Sequence, residues 1–226
     1  MRSEALEAIV TMLRSTAEQR GDAAMTARRV LSVGYRLAPG DPHPAALDDV
    51  VSAYRWALAS AGVDPARTVI GGDSAGGGLT VAALVALRDA GDPFPAAGVC
   101  LSPWVDLTQS GATITTNADV DPMVHAGDLD RWADAYRGER RGSDSAISPL
   151  FAELTGLPLL LIDVGTADVL LDDAQRLANR ARGAGVEVTL TVVEDMLHVW
   201  YFFAGAVPEA DEAIARVGAF VAKEAA

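Results

Sequence analysis

Three residues of this chain could together activate a hydroxyl group: Ser74, Asp168 and His198. A serine hydroxyl becomes a useful nucleophile only when a base takes its proton, and imidazole titrates in the right pH range. A carboxylate is then needed to hold the imidazole in the correct tautomer and to stabilise its charged form. The three residue types therefore predict nucleophilic catalysis, with Ser74 as nucleophile, His198 as base and Asp168 as orienting acid.

The serine lies in a stretch that predicts a sharp turn between a strand and a helix. A β-branched run, Thr68–Ile70, leads into Gly72-Asp73-Ser74-Ala75-Gly76, and an apolar helical stretch, Leu79–Leu87, follows. The glycines fit G-x-S-x-G, the nucleophile elbow, in which the serine sits at the apex of a strained turn and a Cβ on either side would collide. The backbone N–H of Ala75 is then the predicted oxyanion donor, at the positive end of a helix.

The glycine-rich turn also has other interpretations. A phosphate-binding turn would need G-x-x-x-x-G-K-[ST] or a nearby lysine, and this stretch has neither. The string is similar to the G-D-S-G-G of trypsin-like proteases, but those proteins are all-β and carry their histidine and aspartate before the serine. A turn with only a packing role remains the simplest alternative.

Position decides between the candidate bases and acids. In an open parallel sheet, sites form beyond the carboxyl ends of the strands, and both His198 and Asp168 follow predicted strands. Among the competing histidines, His43 lies in a proline-rich loop and His125 in an irregular segment. Among the competing acids, Asp163 lies inside a strand, Asp172 and Asp173 lie in the first turn of a helix, and Asp195 is very near His198.

Composition limits the class of protein. A chain of 226 residues with 50% hydrophobic residues suits one folded domain, and a formal net charge of -13 argues against nucleic acid or an anionic membrane as partner. The single cysteine, Cys100, lies in an apolar run and is expected to be a buried thiol. With no basic n-region and no apolar run near 18 residues, the expected location is the cytoplasm, without a membrane span.

Strand and helix patterns alternate along the chain. Such alternation predicts an α/β fold, a parallel sheet with helices on both faces. Strands are predicted at residues 28–35, 68–70, 96–101, 159–164 and 186–193, and helices at 3–19, 44–60, 79–87, 128–136, 172–184 and 208–223.

From about residue 28 to its end, the sequence resembles the bacterial hormone-sensitive lipase family of carboxylesterases. The matching segments are Tyr35-Arg36-Leu37-Ala38-Pro39, Pro44-Ala45-Ala46-Leu47-Asp48-Asp49, Gly72-Asp73-Ser74-Ala75-Gly76-Gly77, Leu101-Ser102-Pro103-Trp104 and Gly165-Thr166-Ala167-Asp168-Val169-Leu170, together with His198. The resemblance implies an α/β-hydrolase fold with a mostly parallel sheet and a small helical cap. It also implies hydrolysis of short-chain carboxylic esters through an acyl-enzyme, with no cofactor and no metal.

The resemblance further implies a division of the chain and a set of substrate contacts. Residues 1–27 would form a cap-like helix, and residues 28–226 the catalytic domain, with a cap insertion at about 107–145. Asp73, Gly76 and Trp104 are the candidate substrate-binding residues. The resemblance also allows a homodimer whose interface is formed by the last strand and the last helix. Six apolar or aromatic residues follow predicted strand ends: Trp104, Met123, Trp200, Tyr201, Phe202 and Phe203. We expect at least half of these six to lie in the core and the others to line an apolar acyl pocket.

The sequence departs from the family at one motif. The family places H-G-G-G before Tyr35-Arg36-Leu37-Ala38-Pro39, where two glycine N–H groups complete the oxyanion hole, and this chain has no H-G-G-G. The expected fold is therefore truncated on its N-terminal side, with a gap between the strands at 28–35 and 66–71. Three hypotheses follow: a weakened esterase, an impaired scaffold with a binding or assembly role, or an oxyanion hole rebuilt from other N–H groups, including across a dimer interface.

Overall fold

One parallel sheet of six strands organises the computed structural model, which describes residues 9–13 and 29–225. The strands lie across the sheet in the order β2-β1-β3-β4-β5-β6, and each neighbouring pair is parallel. Their bounds are β1 Ile9–Leu13, β2 Arg29–Val33, β3 Val69–Asp73, β4 Ala97–Leu101, β5 Leu159–Gly165 and β6 Val188–Val193.

From β2 onward, helices connect successive strands and pack on the sheet, as the alternating pattern predicts. Every strand and helix predicted after residue 27 is present, with ends that differ by a few residues. No helix within the described ranges is long and apolar enough to cross a membrane. The α-helices are α1 Ala45–Ser60, α2 Ala75–Ala90, α3 Thr113–Thr116, α4 Ala126–Arg137, α5 Leu171–Gly183 and α6 Pro208–Glu224, and 3₁₀ turns occur at Pro65–Arg67, Pro149–Phe151 and Trp200–Phe203.

The central strands bury side chains on both faces of the sheet. On one face Ile70 and Ile162 pack in a cluster with residues of α1, α2 and α5. On the other face Val69 and Leu161 pack with residues of α6. Because strand side chains alternate between faces, a strand covered on both sides must be apolar along its length. Each such buried side chain contributes about 1.5–3 kcal/mol to folding.

The prediction of a helix at residues 3–19 is wrong for residues 9–13, the part of this stretch that the structure describes. Ile9–Leu13 form a strand, with Val10 aligned to Val30 of β2 and to Val69 of β3. A strand in this position gives the backbone groups on the facing edges of both neighbours hydrogen-bond partners. The short apolar run at 9–13 fits a buried strand as well as a helix stripe, and periodicity alone does not separate the two. The other residues of the predicted helix lie outside the described ranges.

β1 also closes the gap that was expected in the sheet. The resemblance placed this gap between the strands that are now β2 and β3, and β1 lies between them. Residues 9–13 therefore belong to the same sheet as the rest of the predicted catalytic domain. The division of the chain at residue 28 stays a prediction.

A cap segment, residues 102–158, connects β4 to β5 and includes α3 and α4. Its apolar side chains form a separate cluster with the loop that follows β5; among them are Trp104, Leu129, Ile147 and Val169. α4 confirms the helix predicted at 128–136, whereas α3 interrupts a stretch expected to be irregular. The cap segment therefore packs against the carboxyl-end loops of the sheet.

Close contact between two loops fixes the end of β5. A Cβ added at Gly165 would collide with the backbone carbonyl of Met196 and lie 2.8 Å from its Cβ. Thr166 and Ala167 donate backbone hydrogen bonds to Val193 and Met196 at 2.9 and 3.1 Å. Gly165 thus lets the chain before His198 lie directly against the chain before Asp168.

We predict that Gly165→Ala destabilises the protein by about 1–3 kcal/mol, because the added methyl group has no space without moving backbone. Gly183→Ala is the matched control, since a Cβ at the end of α5 would meet nothing within 4 Å. The control should be neutral or stabilising by up to about 1 kcal/mol. Urea midpoints of the two variants measure the difference, and equal midpoints would contradict the close contact.

Candidate active site

Ser74 occupies a strained turn between β3 and α2. Its backbone has φ 52° and ψ -117°, a region that residues other than glycine rarely adopt. A Cβ on Gly72 would lie 2.5 Å from the carbonyl carbon and oxygen of Gly76, so glycine is needed for the turn to close. The Ser74 N–H donates to Leu101 O, and Trp104 N–H donates to Ser74 O, both at 2.9 Å. These bonds tie the turn to the end of β4.

The structure brings Ser74, His198 and Asp168 together in one chain of hydrogen bonds. His198 Nε2 lies 2.9 Å from Ser74 Oγ, and His198 Nδ1 lies 3.1 and 3.2 Å from the two carboxylate oxygens of Asp168. A carboxylate can only accept, so Nδ1 carries the proton and Nε2 is the free acceptor facing the serine hydroxyl. The strand-end positions of all three residues explain how side chains far apart in sequence meet at one edge of the sheet.

His198 and Asp168 are both buried, with 3% and 0% of their surface exposed. Burial lowers the pKa of His198, but the attraction and hydrogen bond of Asp168, with smaller contributions from Asp121 and Asp73, outweigh burial and raise it above its ordinary value. The imidazolium is therefore stabilised where it would form during catalysis.

The loop that carries Asp168 is held by several hydrogen bonds. Leu170 N–H donates to Asp168 Oδ1 at 2.8 Å, beside the bond to His198. Asn117 Nδ2 of the cap segment donates to the backbone oxygens of Asp168 and Thr166, at 2.8 and 3.0 Å. The orientation of the carboxylate thus depends on both the strand end and the cap segment.

A cavity of about 630 Å³ opens above Ser74 and His198. Its wall is mostly apolar and aromatic, contributed by the chain after β2, by α2 and by the cap segment. Among the larger side chains are Tyr35, Leu37, Trp104, Met123, Trp132 and Tyr136.

Some of the predicted substrate contacts lie in this wall and others do not. Asp73, Ala75 and Trp104 line the cavity, whereas Gly76 does not; its carbonyl accepts a hydrogen bond from Thr80 Oγ1 at 2.9 Å. Ala75 is the first residue of α2, where backbone N–H groups have no acceptor within the helix. Of the other apolar residues considered, Met123 and Phe202 line the cavity, Trp200 and Tyr201 are buried in the core cluster with α6, and Phe203 is part of neither.

The sequence did not predict that α4 contributes two aromatic residues to the wall, Trp132 and Tyr136. They are four residues apart on α4 and therefore share one face of that helix. That spacing was a usable signal, but a helix in a cap can turn an aromatic face to the core or to a site. Tyr136 O accepts from His43 N–H at 2.9 Å, and the two rings lie edge to face at 5.6 Å. His43 thus joins the loop after β2 to α4.

Charged groups at the cavity are few in the part of the chain that the structure describes. The guanidinium of Arg36, which borders the cavity, is held by Asp49, with Nη2 2.8 Å from Oδ1 and Nε 3.0 Å from Oδ2. Within the same ranges, no group of three His, Cys, Asp or Glu side chains is placed to hold a metal ion.

Comparison with known proteins gives the family. The sequence model of the alpha/beta hydrolase fold family matches residues 14–202. An acetyl-hydrolase of Streptomyces hygroscopicus is 47% identical over 201 residues, which cover 89% of this chain and 66% of that protein. An esterase of Acinetobacter venetianus is 32% identical over 199 residues, with 88% and 65% coverage. The matched stretch thus spans slightly less than two thirds of these relatives.

A solved structure agrees with these relatives. The crystal structure of an esterase from the bacterial hormone-sensitive lipase family superposes with a TM-score of 0.93 at 45% identity, covering 99% of this chain and 80% of that one. The chain therefore belongs to the alpha/beta hydrolase fold family, within its bacterial hormone-sensitive lipase branch.

Proposed function

We propose that this chain hydrolyses carboxylic esters through an acyl-enzyme on Ser74. The observation that carries the proposal is the continuous hydrogen-bonded chain from Ser74 Oγ through His198 to Asp168, at 2.9 and 3.1 Å. It opens into an apolar cavity that can hold an ester. A strained serine, a buried imidazole and a buried carboxylate in this order form the arrangement that acyl transfer requires.

Each group has one role in the proposed reaction. His198 Nε2 takes the Ser74 proton as Oγ attacks the ester carbonyl, and the new C–O bond gives a tetrahedral oxyanion. Collapse expels the alcohol, which receives the proton from His198. Water then repeats the sequence on the acyl-enzyme and releases the acid. Asp168 holds the tautomer and stabilises the imidazolium throughout.

The oxyanion is assigned to the N–H of Ala75 at the start of α2. The positive end of a helix favours a developing negative charge at this point. One such donor contributes on the order of 10²–10³-fold to turnover. Because the sequence has no H-G-G-G, the rate of this chain should depend strongly on the Ala75 N–H. An impaired scaffold is the alternative, and turnover by the purified chain distinguishes the two.

The proposed substrates are uncharged esters with short acyl chains. The wall of the cavity is mostly apolar, and the guanidinium of Arg36 at its border already pairs with Asp49. An acidic ester would therefore find no free cation among the described lining residues. The relative named acetyl-hydrolase supports the choice of a short acyl group. A homodimer and a cytoplasmic location stay predictions from the sequence.

Ser74→Ala should lower kcat for p-nitrophenyl acetate and butyrate by up to about 10⁶-fold, because the hydroxyl that forms the acyl-enzyme is gone. The matched control is Ser52→Ala, which removes an exposed hydroxyl from α1 and should keep wild-type rates. Hydrolysis that persists in the folded Ser74 variant would contradict the assignment of the nucleophile.

Asp168→Asn should lower kcat by about 10⁴-fold with the fold intact, because an amide no longer selects the Nδ1–H tautomer of His198. Asp195→Asn is the control, since Asp195 is exposed and was a competing acid by sequence. Steady-state kinetics at pH 8 compares the two variants. Wild-type kcat in a folded Asp168→Asn protein, or a loss confined to Asp195→Asn, would remove Asp168 from the mechanism.

The pH profile of kcat/KM should have an acid limb set by His198. Imidazolium cannot accept the serine proton, so activity falls as the pH drops through the pKa of this residue. Because the carboxylate of Asp168 raises that pKa, the limb should lie above the ordinary imidazole value of about 6.5. Full activity well below this pH would show that a different group acts as base.

A further inference from the structure

A buried aspartate of the cap segment, Asp121, binds the backbone of both loops that carry the triad. It lies between α3 and α4 and is 1% exposed. Its Oδ2 accepts from the N–H of Val169 at 3.1 Å and from the N–H of His198 at 3.3 Å. Its Oδ1 accepts from the N–H of Met123 at 3.0 Å. One carboxylate therefore connects the cap segment, the loop after β5 and the loop after β6.

These contacts are close to the reacting groups. Val169 directly follows Asp168, and His198 is itself bonded through its main chain. Because one oxygen of Asp121 accepts from both, loss of that carboxylate would leave the acid and the base free to move relative to each other. Met123, on the other side of Asp121, lines the cavity, so the same carboxylate also links the substrate wall to the triad.

The backbone beside His198 needs such support. Val199 has φ 48°, a left-handed conformation that is unusual for a β-branched residue. Conformations of this kind persist only where the surroundings hold them. The N–H of Val199 donates to Ser102 Oγ at 3.2 Å, and the preceding N–H, of His198, donates to Asp121. Two consecutive N–H groups around the strained position are thus fixed by side chains from the cap segment.

We propose that Asp121 is a positioning residue of the triad, whose carboxylate holds the loops of Asp168 and His198 at the distance that proton transfer requires. A positioning role has meaning only if His198 is the base, so it rests on the proposed function. Asp121 acts through backbone N–H groups and does not touch the reacting atoms.

The charge of Asp121 gives the proposal a second, electrostatic consequence. The carboxylates that face His198 are Asp168 from the loop after β5, Asp121 from the cap segment and Asp73 from the end of β3, and all three raise its pKa. In the described part of the chain, Asp121 accepts from backbone N–H groups, and no described arginine or lysine forms an ion pair with it. Removing its charge should therefore lower the pKa of His198.

The test is Asp121→Asn, compared with Asp119→Asn. Both changes remove one carboxylate from the same short stretch, but Asp119 is exposed. A misplacement of about 1 Å lowers catalysis by about 10²-fold, so we expect kcat of Asp121→Asn to fall between about 10-fold and 10²-fold with little change in KM. The imidazole of His198, titrated by ¹⁵N NMR, should lose its proton at lower pH. Asp119→Asn should match the wild type in both measurements.

Two results would overturn the proposal: a folded Asp121→Asn protein with wild-type kcat, or one in which the His198 titration is unchanged. Lower thermal stability with unchanged kcat would indicate a purely structural role. If the wild-type chain showed no Ser74-dependent hydrolysis, the proposed function would fail, while the NMR titration would still report on Asp121 alone.

Should Asp121→Asn fail to fold, the wild-type protein provides the measurement. Its amide protons at Val169 and His198 should both exchange slowly with solvent deuterium, because one buried carboxylate oxygen accepts from both. Rapid exchange at either amide in the folded protein would contradict the shared bond and with it the positioning role.

Discussion

The hydrogen bond between Asp168 and His198 joins two groups that have almost no contact with solvent. A buried carboxylate without a donor would be strongly destabilising, and a buried imidazole would not become charged without a carboxylate beside it. Each group therefore stabilises the charged form of the other, and both need loops that hold them at hydrogen-bond distance, 3.1 Å. Two residues hold the loops in this way. Gly165 lets one loop lie against the other, and Asp121 is an acceptor that both loops share.

The sheet supplies the other half of the geometry. Because β3, β5 and β6 are parallel, their carboxyl ends open at the same edge, and the short turn at Ser74 directs the hydroxyl toward the imidazole. The cap segment then has two functions. Its aromatic residues, such as Trp132, form the cavity wall, while Asn117 and Asp121 bond to the backbone of the loops below. Substrate binding and triad alignment are thus attached to one stretch of chain.

The sequence was sufficient for features with a local signal. Ser74 follows from a glycine pattern between a β-branched run and a helix, and Asp168 and His198 follow from their positions after apolar strands. The strand at residues 9–13 could not be predicted from the sequence, because five apolar-rich residues suit a helix stripe and a strand equally. Pairing with the neighbours β2 and β3 decides between the two. Asp121 had no signal either: its partners on the two triad loops are backbone N–H groups 48 and 77 residues away, which no spacing in the sequence reveals.

Covalent labelling of the purified chain with a p-nitrophenyl alkylphosphonate, followed by peptide mass spectrometry, tests the central claim most directly. The phosphonate mimics the tetrahedral intermediate and is captured only by a nucleophile whose base is in place. The account predicts release of one nitrophenolate per chain and a phosphonyl group on Ser74. A folded protein that remains unlabelled, or that carries the label on another residue, would contradict it.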